Sequence, residues 1–69
     1  LKKSNVSVDI VDISGRRVFR LHRGNLNPGN HQLTWYGKDD RGNSMASGIY
    51  YIKAIGDNIQ EWRPITFVK

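Results

Sequence analysis

The chain predicts an all-β sandwich, and three observations carry that prediction. Apolar and polar residues alternate at period 2 almost throughout. Clusters of Gly, Pro, Asn, Asp and Ser interrupt the alternation at regular intervals. No segment sustains helical periodicity over a useful length. The result is one small antiparallel domain of about five to six strands, fewer than such sandwiches usually have.

The first strand is carried by Val6, Val8 and Ile10, alternating with Ser7 and Asp9. Val11 and Ile13 take the opposite parity, so either both faces are covered near its end or a bulge shifts the phase. Asp12-Ile13-Ser14-Gly15 is a turn, with side chains that bond their own backbone and a glycine that accepts positive φ. Arg17 to His22 is the return strand. Its inward pair, Val18 and Leu21, are three residues apart, which requires an irregularity in the strand. Gly24 to Asn30 is a loop, with Pro28-Gly29 at the centre of a type II turn and Leu26 tucked back.

His31 to Tyr36 reads as the next strand, with Leu33 and Trp35 on one face, and Gly37 ends it. Lys38 to Ser44 is polar and tightest at Gly42-Asn43. Ile49 to Ile55 is the strongest strand, β-branched and aromatic. Lys53 sets its faces, turning Tyr50, Ile52 and Ala54 inward. Gly56-Asp57-Asn58 is a hairpin turn, and Gln60 to Val68 is the last strand. Pro64 cannot donate a ladder hydrogen bond, so that strand belongs at an edge or carries a bulge. Ile65 and Phe67 are its core pair.

Sixty-nine residues make one small domain that buries about 60% of its unfolded surface. No cysteine is present to staple it. No apolar run approaches the roughly 18 residues of a membrane span. Lys2 and Lys3 are not followed by the apolar segment of a signal peptide. The pattern starts in its middle, as expected of a module excised from a longer protein. A strand before Ser4 is expected to be missing, leaving an open edge for another chain to pair with.

The formal charge is +5. The cations are spread over every segment, which disfavours nucleic acid as the partner. Arg16, Arg17, Arg20 and Arg23 cluster in one hairpin and form a candidate basic patch if Arg17 and Arg20 share an outer face. Tyr36, Tyr51 and Trp62 are the candidate exposed aromatics, able to form a sugar-stacking platform or a protein contact. Catalysis is not expected. The serines lack a nucleophile elbow, and His22 and His31 sit apart with no carboxylate at telling spacing. No cofactor or metal is expected either. Asp39-Asp40-Arg41-Gly42-Asn43 lacks the alternating ligands of a calcium loop and reads as a turn in which Asp40 accepts backbone N–H bonds.

Four motifs follow one another in order: D-I-S-G-R-R-V, N-P-G-N-H-Q-L-T-W, G-K-D-D-R-G and S-G-I-Y-Y-I-K. Together they resemble the FlgD-like immunoglobulin-type domain, named for the flagellar hook-capping protein. They are also similar to the C-terminal sorting domain of the type IX (Por) secretion system. The resemblance spans about residues 5 to 69. The family commonly has Asp after the tryptophan, where this chain has Tyr36, and an Asn-Pro-rich first strand upstream, which this chain lacks. The resemblance implies a small Ig-like sandwich. It also implies a non-enzymatic module of an exported bacterial protein, found in the periplasm in transit and then at the cell surface or outside. As a sorting domain it would be read by the secretion machinery. As a FlgD-like assembly domain it would pack on a neighbouring domain or subunit, and as an accessory module it would bind carbohydrate. Gly48, Tyr50 and Lys69 are expected near the recognised surface.

Overall fold

A computed structural model describes residues 4–26 and 31–69. Four strands form one antiparallel sheet: β1 (Ser4–Val11), β2 (Arg17–Leu26), β3 (Gly48–Ile55) and β4 (Gln60–Phe67). Their order is β2-β1-β3-β4, and no described residue is helical. The all-β, Ig-like expectation holds. The type II turn at Pro28-Gly29 lies outside the described residues.

The strand expected over His31 to Tyr36 does not form. Residues 31–47 instead cross one face of the sheet as the second layer, held by side chains more than by a ladder. Trp35 drops its ring against Tyr50 and Phe67, with centroids 5.0 and 5.1 Å away. Its indole N–H donates to Lys38 O at 2.8 Å, which curls the chain locally instead of extending it. Leu33, expected beside Trp35, is exposed. Period-2 spacing describes side chains only, and a strand also needs a neighbour for its backbone.

The core lies under this segment. Ile10, Val18 and Tyr50 form its centre, and Phe19, Leu21, Trp35, Met45, Ile52, Ile65 and Phe67 pack around them. The inward positions foreseen for Tyr50 and Ile52 and the Ile65–Phe67 pair are occupied as the alternation requires. Ile10 and Val11 are 0% and 1% exposed, so β1 is covered on both faces at its end. Ile13, just beyond, is exposed in the turn.

The irregularity required by Val18 and Leu21 is a pair of bulges. Val8 faces His22 while Asp9 faces Arg20, so Leu21 is the extra residue. Ile10 faces Phe19 while Val11 faces Arg17, so Val18 is the extra residue. Each bulge sets two β2 residues against one β1 residue and resets the strand's phase.

β1 is not an edge strand, because it lies between β2 and β3. The edges are β2 and β4. Pro64 sits on edge strand β4, as its missing N–H demands. Asp40 closes part of the β2 edge: its N–H donates to Val18 O at 3.0 Å, and its Oδ1 accepts the Arg20 N–H at 3.1 Å.

Gly37 is required twice over. Its φ is +75°, and a Cβ there would clash with Cζ and Cε1 of the Phe67 ring. Gly42 has a similar φ of +86° but open space around it. Gly37→Ala is therefore expected to cost about 2–4 kcal/mol, strain and overpacking together. Gly42→Ala should cost about 1 kcal/mol, from backbone strain alone. Urea unfolding of both variants checks this. Equal losses would show that the Phe67 ring does not press on Gly37.

Candidate interaction surface

Each bulge in β2 shifts its alternation, and the arginines record the effect. Arg17, Arg20 and Arg23 are spaced by three, which a regular strand would place on alternate faces. The register sets them opposite Val11, Asp9 and Ser7, and those residues share one face of β1. Tyr51, Lys53 and Ile55 continue that face on β3. Pro64, Trp62 and Gln60 continue it on β4. This face is opposite the one covered by residues 31–47.

Its centre is an ion pair. Arg20 Nε and Nη2 donate to the two carboxylate oxygens of Asp9, at 2.9 and 3.4 Å. Asp9 is 9% exposed, a buried polar side chain within the sheet. The hydrogen bond to Asp9 holds the Arg20 guanidinium above its ordinary pKa, against the opposing effect of burial. Nothing in the alternation marks Asp9 as buried. The clue lies one step further on. A bulge at Val18 moves Arg20 from its unbulged register to the position opposite Asp9.

The basic patch is largely ion-paired. Arg16 Nε lies 3.5 Å from Asp12 Oδ2, and Arg17 Nε lies 3.3 Å from Asp40 Oδ2. Arg16 belongs to the β1–β2 turn, whereas Arg17, Arg20 and Arg23 lie on the open face. A concavity of about 400 Å³ on that face is lined by Asn5, Ser7, Arg20, Arg23, Ile55 and Gly56.

The three aromatics separate. Trp62 is 47% exposed, meets Tyr51 edge-on with centroids 6.4 Å apart, and carries the Lys53 ammonium 5.1 Å above its ring. Tyr51 is half-buried beside it. Tyr36 is 80% exposed and lies elsewhere, next to Gly37 and the end of β4.

Of the three residues expected at a recognised surface, Tyr50 is interior. It is 6% exposed, and its hydroxyl donates to Ala46 O at 2.7 Å. A ring at that β3 position faces the core, so it supports the surface from beneath. Gly48 pairs with Phe67, and the Lys69 N–H donates to Ser47 Oγ at 3.0 Å, so these two mark one end of the sheet. His22 Nε2 lies 3.3 Å from Gly24 O, within its own strand. Among the described residues no three His, Cys, Asp or Glu side chains group as metal ligands, and no helix is long and apolar enough to cross a membrane.

Two turns share one construction. Asp12 O accepts the Gly15 N–H, and Asp39 O accepts the Gly42 N–H. Asp12 Oδ1 accepts the N–H groups of Ser14 and Arg16, while Asp39 Oδ1 accepts those of Arg41 and Asn43. The fourth residue of each is a glycine with φ near +90°. The carboxylate organising the second turn is therefore Asp39. Asp40, expected in that role, serves the β2 edge.

These bonds lower both carboxyl pKa values below the usual 3.8. The Ser14 hydroxyl contributes most at Asp12, followed by the Arg16 N–H. The Asn43 N–H contributes most at Asp39. A depressed folded-state pKa stabilises the fold above the unfolded-state value and loses that contribution as pH falls through the folded value. Unfolding followed from about pH 6 downward should show stability declining below about pH 4. Asp12→Asn with Asp39→Asn keeps an acceptor oxygen but removes the titration, so its pH profile should be shallower. An unchanged profile would show that these turns do not carry acid sensitivity.

The FlgD Ig-like domain family model matches residues 2–59. No curated protein and no solved structure matches the chain. The matched span contains β1, β2, β3, both Asp-anchored turns, the β2 bulges, Gly37 and the Trp35–Tyr50 contact. The fold agrees with that match over most of the chain's length, and the chain belongs to the FlgD Ig-like domain family.

Proposed function

We propose that this Ig-like domain is a non-enzymatic structural module of an exported bacterial protein, and that it packs on a neighbouring domain or subunit. The supporting observation is a concentration of exposed apolar side chains at one end of the sheet. Ile13 is 79% exposed in the β1–β2 turn, Tyr36 is 80% exposed beside the end of β4, and Val68 is 74% exposed just past it. A single exposed apolar residue needs no explanation. Three at the same end, where β3 begins at Gly48 and the chain runs past β4 to Lys69, form the kind of surface that a partner covers. Recognition is by shape and apolar contact, with no side-chain chemistry.

The test uses the parent protein. Ile13→Ser, Tyr36→Ser and Val68→Ser together are expected to lower the thermal stability of the neighbouring domain while leaving this domain folded and attached. Unchanged stability of the neighbour would count against packing through this end.

The second reading is a type IX sorting domain, favoured by the four motifs that resemble that family in order. In that reading the secretion machinery recognises the Gly48 and Lys69 end after export across the inner membrane. Residues 1–69 behind a signal peptide and a fluorescent cargo are then expected to reach the cell surface only when the translocon is intact, with the tag removed. Cargo held in the periplasm in both the active strain and its translocon mutant removes this reading.

A further inference from the structure

We infer that the sheet face opposite the core binds an acidic polysaccharide, a chain of sugars bearing carboxylates. This surface is separate from the end assigned to domain packing, and the inference stands independently of it. Three features on one face converge on that ligand.

The first is a cationic hollow. Arg20, Arg23, Ser7 and Asn5 line a concavity of about 400 Å³. Arg20 turns Nε and Nη2 to Asp9, and its remaining guanidinium donors are not used by that pair. Ser7 and Asn5 add a hydroxyl and an amide. Asp9 is neutralised by Arg20 and 9% exposed, so the hollow presents donors to an anion. Guanidinium groups bind carboxylates through paired, charge-assisted hydrogen bonds.

The second is Trp62. It is half-exposed, and Tyr51 is set edge-on against it. An indole presents an apolar face to the C–H side of a pyranose ring. Lys53 Nζ lies 5.1 Å above the same ring. A sugar placed on Trp62 would bring a ring carboxylate to that ammonium, exchanging a cation–π contact for an ion pair.

The third is alignment. Register puts Arg20, Asp9, Lys53 and Trp62 in one row across the sheet, with Arg23, Ser7, Ile55 and Gln60 in the next. Three steps between strands separate the aromatic from the arginines, about 15 Å. An extended chain lying across the strands reaches both, with its acid groups at Lys53 and in the hollow.

Other occupants fit less well. Protein interfaces are depleted in lysine at their centres, and Lys53 is central here. Single-stranded nucleic acid wants a continuous basic groove with several open aromatic faces. This face has a single indole, and Tyr51 beside it is half-buried.

The experiment measures binding of residues 1–69 to polygalacturonate, to its fully methyl-esterified form, and to single-stranded poly(dT), at fixed salt. Polygalacturonate should bind, and the esterified chain, with the same backbone and no carboxylates, should not. Arg23→Gln and Trp62→Ala should each weaken binding about tenfold. Arg41→Gln, which removes the same charge as Arg23→Gln from a loop away from this face, should change it less than about twofold. Circular dichroism confirms that each variant is folded. The inference is overturned by no binding to polygalacturonate, by equal binding to the esterified chain, or by equal losses in Arg23→Gln and Arg41→Gln. Tighter binding of poly(dT) would make the face a nucleic-acid surface instead. None of these outcomes bears on the Ile13, Tyr36 and Val68 test, so the two proposals fail separately.

Discussion

Three aromatic rings hold this domain together. Trp35 meets Tyr50 edge-on at 5.0 Å and Phe67 at a tilt at 5.1 Å, and Tyr50 and Phe67 meet edge-on at 6.5 Å. A four-stranded sheet with one apolar face is not a stable object alone; that face must be buried against a second layer. Here the second layer is a segment without strands of its own. Its backbone reaches the sheet through the Asp40 N–H bond to Val18 O, and most of its attachment falls to side chains. Trp35 supplies the area, Gly37 lets the chain pass over the Phe67 ring, and Met45 completes the cover. Removing the aromatic contact would leave Ile10, Val18 and Ile52 facing water.

The polar groups complete what the rings begin. The Asp39 carboxylate organises the loop by accepting its backbone N–H groups, and that loop delivers Asp40 to the β2 edge. Asp40 then satisfies two edge backbone groups and pairs with Arg17. An unpaired edge is a template for association, and one carboxylate both occupies and charges it. On β4 the same protection comes from Pro64, which offers no N–H. The chain thus manages both edges locally, without closing the sheet into a barrel.

Much of this was legible in the sequence, because it rests on local chemistry. Val18 and Leu21, both apolar and three apart, required the β2 irregularity, and two bulges are there. Pro64 required an edge, and β4 is one. Lys53 set the faces of β3 correctly. Tyr50 was correctly turned inward by the same parity, which makes its assignment to a recognised surface inconsistent with its place in the core. The His31–Tyr36 segment alternates as a strand does yet forms none, because alternation reports where side chains go and not how the backbone pairs. The Asp9–Arg20 pair escaped notice because it depends on register, and register depends on where the bulges fall. One bulge at Val18 moves Arg20 opposite Asp9, and a second at Leu21 brings Arg23 onto the same face. The shared face of the three arginines is therefore a consequence of packing Val18 and Leu21 inward, which no inspection of charge alone reveals.

The central claim is that residues 31–47 are part of the core and not a loop laid beside it. Native-state amide hydrogen exchange tests this directly. The Asp40 N–H donates to Val18 O and the Met45 N–H donates to Gly37 O, so each reports on the covering segment. If the aromatic cluster binds that segment into one cooperative unit, these two amides should exchange only through global unfolding, with the same free energy as the amides of Ile10 and Tyr50. Exchange of Asp40 and Met45 at a clearly lower free energy, with the sheet still protected, would contradict the account. It would show that the sheet stands without its cover.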